Sequence, residues 1–393
     1  MGASARDVTI SNSKTELHAN RPPFLNKPIS VVQKILNDTT KIADYLTKIQ
    51  QDIQHRKQEL RSQLLSNQII RDDSEVKNHR YYKTCGIDGS LVMDRYVGTE
   101  LIFAAAVRAG GILSSADSNW NDEDNDSFVS AEMHDDENNG IIGRALMLEM
   151  ELKLAAKAPH ELVLIDGSLT TALIHMYKAI HYFRDGFKQS VLKLKNDFGD
   201  FLIAYKKILA GENSDKIWVG LPKYTSRRDI ARKMNWKMSY DDKAVLSLVL
   251  APGEFTRPII FTDKDAWHDK VPYVDEKTRS LTHQIITEIK QLSFVYYKPH
   301  SWMPALRLEV PYKIARSHEK LSQVLESVKS ECKSPAIIEP YPLYMADRKA
   351  KKISQAIHSY RQILTTKMIR GEDINASDLL LMMRSYRTEG DRI

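Results

Sequence analysis

HELVLIDGSLTTA, residues 160–172, reads as an apolar strand that ends in an aspartate and turns at a glycine. Its central pentapeptide, IDGSL at 165–169, also occurs at 87–91 inside YYKTCGIDGSLVMDR. Nothing else repeats around the two copies: a strand meander follows the first and a helix follows the second. The pentapeptides are therefore read as a shared local geometry and not as a duplication. A strand ending in Asp-Gly can turn sharply and leave its carboxylate at the sheet edge, with a small residue letting a phosphate come close. For either copy alone, a turn aspartate capping the next backbone amides is an equally good reading. Two such ends in one domain, Asp88 and Asp166, together with a glutamate on the connecting helix, favour a shared divalent metal, because an unpaired buried carboxylate is costly.

The connecting helix IIGRALMLEMELKLAAKA, 141–158, offers Glu149 and Glu151. From Leu162 to Asp166 a strand covers roughly 13–15 Å. A helix running back beside it needs about nine or ten residues to regain that level at ~1.5 Å each. Counted from Ala158 this reaches Glu149, which is preferred; Glu151, pointing about 200° away, is expected to be solvated or paired with Lys153 or Lys157. Oxygen ligands without Cys and with little His select Mg²⁺ or Mn²⁺. Two such ions about 3.5–4 Å apart would stabilise both the attacking water and the leaving oxygen of a phosphodiester. The same ligands would also suit a phosphatase.

The rest of the chain supplies a mixed sheet and its helices. Ser30 to about Asn67 has no Gly or Pro and carries Val31, Ile35, Ile42, Leu46, Ile49, Ile53, Leu60 and Leu64 at helical steps. This predicts an amphipathic helix or helical hairpin, packed on its own domain or against a partner. Three strand-like runs follow, YKTCGIDGSLVM, ELIFAAAVRAGGIL and SFVSAEMH. The acidic stretch from Ala116 to Asn138, with nine Asp or Glu and no Lys or Arg, separates or flanks the last of them. Asp122, Asp124 and Asp126 imitate an EF-hand, but Ser127 and Met133 stand where that loop needs Gly and Glu, so a solvated loop is predicted. Beyond 160–172 the pattern gives helices at about 169–187 and 188–209, strands at KIWVGLPK, VLSLVLAPGE, LSFVYYKP and ALRLEVP, and helices around 278–291, 315–329 and 344–370. Strands first, then alternating helix and strand, predict an α/β fold with a mixed sheet flanked by helices.

Composition bounds the function. The 393 residues carry a net charge of +6, too modest to mark a generally basic nucleic-acid binder. The two cysteines, Cys85 and Cys332, suit a reducing cytoplasm and form no zinc motif. No apolar run is long enough to span a membrane, and the polar first 28 residues read as a mobile leader and not a signal peptide. A local basic segment does exist, GLPKYTSRRDIARKMNWK at 220–237. There Lys223, at a strand end, would contact a scissile phosphate or pair with an acidic site. Arg227, Arg228, Arg232, Lys233 and Lys237, interleaved with Tyr224 and Trp236, would hold a nucleic-acid backbone or form a solvated face.

The order GIDGS, helix with Glu, LIDGSL, GLPK, SLVLAPGE, LRLEVP and PYPLYMADRKAKKI resembles the NurA domain, an RNase H-like nuclease, over roughly residues 80–370. The resemblance implies a helical extension at 29–80, a nuclease domain at 81–375 and a tail at 376–393. It implies a metal-dependent nuclease (5′–3′ exonuclease, endonuclease or both) acting on single-stranded DNA or duplex ends in end resection or defence against phage. Such proteins are homodimers that work with the hexameric ATPase HerA. By resemblance the metal ligands would be Asp88, Glu149, Asp166 and Asp347, the last at a position where many relatives carry His. Lys223 would be a neighbouring phosphate contact, and two Mn²⁺ or Mg²⁺ ions the cofactors. Arg307 and Glu309 of LRLEVP also match, and fit a structural ion pair equally well. The chain has no GxxxxGK[ST] motif, so ATP-driven movement would need a partner. The alternative is a non-catalytic DNA clamp or adaptor for such an ATPase.

Overall fold

The computed structural model describes residues 27–76, 80–112, 124–134, 138–181, 189–211, 215–238, 240–261, 275–370 and 375–384. The leader up to residue 26, most of the acidic loop, the end of the predicted 169–187 helix and the end of the tail lie outside these residues. Among them the strands are β1 (Ile70–Asp72), β2 (Thr84–Arg95), β3 (Glu100–Gly110), β4 (Asn125–Glu132), β5 (Leu162–Asp166), β6 (Ile217–Leu221), β7 (Glu254–Thr256), β8 (Ile259–Ile260), β9 (Ser293–Tyr297) and β10 (Leu306–Val310). The helices are α1 (Ile29–Ser66), α2 (Asn138–Lys157), α3 (Thr171–His181), α4 (Gln189–Ala210), α5 (Asp229–Lys233), α6 (Asp242–Val249), α7 (Glu276–Ile289), α8 (Tyr312–Arg316), α9 (His318–Ser330), α10 (Tyr341–Gln355), α11 (Ile357–Ile369) and α12 (Ala376–Met382).

The chain divides into two compact units, one ending at Arg56 and one starting at Lys57. In the first unit the chain is one uninterrupted helix from Ile29 onward, not a hairpin, consistent with a run free of Gly and Pro. Its Ile35, Ile42, Tyr45 and Leu46 are exposed.

The second unit is built on one sheet in the order β1-β7-β9-β10-β6-β5-β2-β3-β4, with β8 pairing on β9. Strand β5 lies parallel to both β2 and β6, and the other pairings are antiparallel, so the sheet is mixed. The predicted meander is β2-β3-β4. The sheet's middle is apolar on both faces: β3 is buried from Glu100 through Val107, and β5, β6, β9 and β10 are buried along nearly their whole length. Helices cover both faces. On one, α2 packs against β2 and β3 and is itself backed by α3 and α4; the other carries α10 over β2 and β3. Leu162 and Leu164 of β5, Leu306, Leu308 and Val310 of β10, Val324, Leu325 and Val328 of α9 and Leu343 of α10 share one apolar core.

Two elements differ from the sequence expectation. VLSLVLAPGE is not a single strand: through Val249 it belongs to α6, whose N-cap Asp241 accepts from the Ala244 amide at 2.9 Å. Val245, Leu246 and Val249 are buried at helical spacing there, and only Glu254 onward is strand. The predicted 344–370 helix is two helices, α10 and α11, that meet at Ala356. The cysteines are buried and free, and no helix among the described residues is long and apolar enough to cross a membrane.

Candidate active site

The parallel register of β2 and β5 brings the two pentapeptides side by side. Thr84 pairs with Leu162 and the ladder continues to Ile87 opposite Ile165, so Asp88 and Asp166 are the next residues on adjacent strands. Strand alternation puts Asp166 on the face of Leu162 and Leu164, the face of the shared apolar core, and puts Asp88 on the face of Gly86. Gly86 is there because α10 crosses at close range: a Cβ on it would lie 2.5 Å from the Pro342 backbone.

The two copies do not behave alike. After Asp166 the chain turns at Gly167, with φ of +103°. After Asp88 it does not turn: β2 stays paired with β3 as far as Arg95. The predicted sharp turn is therefore present only in the second copy, because the first belongs to a strand held along its whole length by a neighbour.

Gly89 serves a different purpose, namely room for a glutamate. A Cβ at Gly89 would collide with Glu151 Oε1 and lie 2.6 Å from Met147. Glu151 is thus the acid that α2 directs at the pentapeptides. Burial first, and then the charges of Asp88 and Asp166, push its carboxyl well above the usual carboxylate range, with Arg144 opposing. Glu149, preferred in the helix-length argument, instead has its carboxylate 2.9 Å from Lys153 Nζ and 3.5 Å from Lys193 Nζ, toward α4, where Asp197 joins the same lysines. In axial level the two glutamates differ by only ~3 Å, but they point to different sides of α2. Gly143, Met147 and Glu151 recur every four residues against β2, Gly143 packing on Leu91, and Glu149 falls off that line. Its Lys153 partner, four residues on, was the available signal.

Asp88 is buried beside this group. Burial, followed by the charge of Asp166, pushes its carboxyl up to about 8, while Lys223 and the Gly89 amide oppose the rise. Lys223, just past the end of β6, extends its ammonium to 3.0 Å from Asp166 Oδ2, 3.1 Å from Glu339 Oε2 and 4.0 Å from Asp347 Oδ1. Burial alone would lower its pKa, but Asp166, Glu339 and Asp88 outweigh this and hold it above the usual lysine value. Asp347, on α10, also pairs with Lys351 at 2.7 Å. Glu339 was not singled out in the sequence, since IIEPYP gives no helical or strand period to place it; burial raises its pKa and Lys223 opposes. Lys243 fixes the Lys223 backbone by donating to its carbonyl at 2.6 Å.

These groups border a cavity of about 810 Å³ lined by Asp166, Lys223, Tyr224, Lys243, Glu339 and Asp347 along with apolar residues such as Leu221, Leu306 and Ile338. Tyr224 is 94% exposed at its rim. Trp236, expected beside it as a second stacking ring, is instead buried and donates from Nε1 to Gln63 Oε1 at 2.7 Å. Arg232, Lys233 and Lys237 are exposed, whereas Arg227 lies over the Phe261 ring and Arg228 donates to the Met238 carbonyl.

As arranged, no group of three or more His, Cys, Asp or Glu among the described residues converges to hold an ion; the Lys223 ammonium stands among the acids as their counter-charge. The donor chemistry nonetheless fits a hard divalent cation. Asp88 and Glu151 are buried carboxyl groups whose ionised forms are opposed by burial and by neighbouring acids more than Lys223 and Arg144 offset, and Asp166 stands next to Asp88 in register.

A NurA domain model matches residues 82–352. No curated protein sequence matches the chain significantly. Among solved structures, the NurA nuclease of Sulfolobus solfataricus is 16% identical, with a TM-score of 0.53 over 84% of this chain and 97% of that one. A NurA structure with manganese is 14% identical, with a TM-score of 0.53 over 85% and 99%. A NurA bound to dAMP and manganese is also 14% identical, with a TM-score of 0.52 over 89% and 99%.

Proposed function

We propose, from the premise that this chain belongs to the NurA domain family, that it is a metal-dependent nuclease hydrolysing phosphodiester bonds at DNA ends. The observation that carries the reading is the in-register pair Asp88 and Asp166 with Glu151 entering over Gly89. Manganese, held by the related structure that also binds dAMP, is the cofactor this donor set suits; magnesium is the alternative. Asp88, Glu151 and Asp166 would hold it, with Asp347 at the cavity wall as a further ligand. When bound, such an ion supplies Lewis-acid stabilisation and an activated water, and two ions suit this number of carboxylates.

The chain's own groups supply the rest. Binding the metal requires Asp88 and Glu151 to give up protons that burial now favours. Lys223, which now pairs with Asp166 and Glu339, would hold a non-bridging phosphate oxygen as a point charge. The exposed Arg232, Lys233 and Lys237 would add positive charge for a nucleic-acid backbone. Family membership supports a homodimer and a HerA-type hexameric ATPase as partners, in end resection or defence. The test is an end-labelled linear DNA, single- and double-stranded, incubated with Mn²⁺, Mg²⁺ or EDTA. Cleavage with Mn²⁺ that is lost in EDTA and in Asp88→Ala of wild-type stability supports the reading; cleavage undiminished in Asp88→Ala rejects it.

A further inference from the structure

The turn after Asp166 is held from two strands away. Ile165 of β5, Gly220 of β6 and Glu309 of β10 form one rung across the sheet. The segment Gly167–Leu169 folds back over Gly220, so closely that a Cβ there would lie 2.8 Å from Leu169 Cγ, 3.0 Å from the Gly167 carbonyl and 3.1 Å from the Leu169 amide. At the far end, Glu309 Oε2 accepts from Ser168 Oγ at 2.7 Å and from the Leu169 amide at 2.9 Å.

Glu309 is itself fixed. Its Oε1 accepts from Arg307 Nε at 3.1 Å, and that fully buried guanidinium donates to the Tyr296 hydroxyl at 2.9 Å and lies over the Phe294 ring at 4.1 Å. A salt contact of 3.6 Å joins it to Asp229 at the start of α5. A buried, charged clamp on a two-residue turn is a costly way to close a loop, since two uncharged residues would fill the space without desolvating a carboxylate. What distinguishes this turn is that it directly follows Asp166.

We infer that Glu309 is a positioning residue for the metal site: by gripping Ser168 and Leu169 it fixes the backbone from which Asp166 projects, and Arg307 fixes Glu309. The inference rests on the proposed metal-dependent nuclease reading. A carboxylate acting one shell out from a metal ligand changes metal affinity or activity by about 10–100-fold when lost.

The test is Mn²⁺ affinity, followed by the electron paramagnetic resonance of free Mn²⁺, in Glu309→Gln and Ser168→Ala. The amide of Glu309→Gln serves either Arg307 or the turn as acceptor, not both. Ser168→Ala removes the hydroxyl's bond to Glu309 together with its contacts to Thr170 Oγ1 at 2.9 Å and the Thr170 amide at 3.2 Å, all within the turn and from a partly exposed residue, and so reports on the clamp even if Glu309→Gln does not fold. Expected are about 10-fold or greater weakening of Mn²⁺ binding in Glu309→Gln and several-fold in Ser168→Ala. DNA binding in Ca²⁺ stays within twofold of wild type, and the cleavage rate of Ser168→Ala recovers at high Mn²⁺ with KM for DNA unchanged. A purely structural clamp gives neither the metal rescue nor the split between metal and DNA affinity. Mn²⁺ affinity within twofold of wild type in the folded variants overturns the inference while leaving the nuclease reading intact. A wild type that binds no Mn²⁺ overturns both.

Discussion

At the residue scale the meeting of the two aspartates on adjacent strands was legible, and which glutamate α2 turns toward them was not. Asp88 and Asp166 each follow apolar residues that commit a strand to the interior, and their matching context says that they meet. Choosing between Glu149 and Glu151 needed the direction of one helical face, which the Glu149–Lys153 pair and the Gly143–Met147–Glu151 line reveal only once the sheet is in place. Trp236 shows the opposite error: an aromatic in a basic segment reads as a stacking ring, yet it is core. Tyr224 has nearly all its surface exposed at the cavity rim, where a base could stack. Base stacking on an aromatic ring contributes about 1–3 kcal/mol. Tyr224→Ala is therefore expected to weaken single-stranded DNA binding by roughly 5- to 150-fold, with Tyr224→Phe close to wild type, as fluorescence anisotropy would read; equal affinities for all three remove Tyr224 from the DNA path.

At the element scale, glycines set the separations on which the site depends. Gly89→Ala places a methyl where Glu151 Oε1 now lies, and is expected to lower cleavage by about 100-fold or more while thermal unfolding shows the protein still folded. Gly86→Ala meets the Pro342 backbone, which cannot yield as a side-chain tip does, so its expected effect is destabilisation of about 1–3 kcal/mol in urea. The loop joining α5 and α6 offers a pH test. Asp242, buried in α6, accepts from the Ile230 and Ala231 amides at 2.8 and 2.9 Å. Burial nevertheless pushes its carboxyl up to about 6. The folded chain therefore keeps, between about pH 4 and 6, a proton that the unfolded chain releases. This contribution is full below pH 4 and is lost as pH rises through 6, by at most about 3 kcal/mol. Asp242→Asn should remove that slope from the difference in unfolding free energy between pH 4.5 and 7; an unchanged slope assigns the proton elsewhere. Sequence pattern gave the meander and most helices, because their apolar periods are long. It misread α6, whose eight residues contain the start of an apolar run too short to separate helix from strand.

At the scale of the whole molecule, Asp166, Glu339 and Asp347 meet around Lys223, with the charge of Asp166 acting on Asp88 and Glu151, and a divalent metal is the proposed occupant of that grouping. A ligand that binds only the folded state stabilises it by about 2.7 kcal/mol at a hundred times its Kd. Mn²⁺ should thus raise the melting temperature of the wild type and leave that of Asp88→Asn unmoved. The architecture was readable as a mixed α/β sheet because strand runs precede the alternation of helix and strand, whereas the order β10-β6-β5-β2 that unites the site depends on pairings between segments far apart in the chain. The most direct measurement sets the two α2 acids against each other: Mn²⁺-dependent cleavage of end-labelled DNA by Glu151→Gln and Glu149→Gln. Loss of cleavage by at least about 100-fold in Glu151→Gln, with Glu149→Gln within a few-fold of wild type, is the expected result. Cleavage retained by Glu151→Gln and lost by Glu149→Gln, at equal folded fractions, would contradict the site as built from this structure.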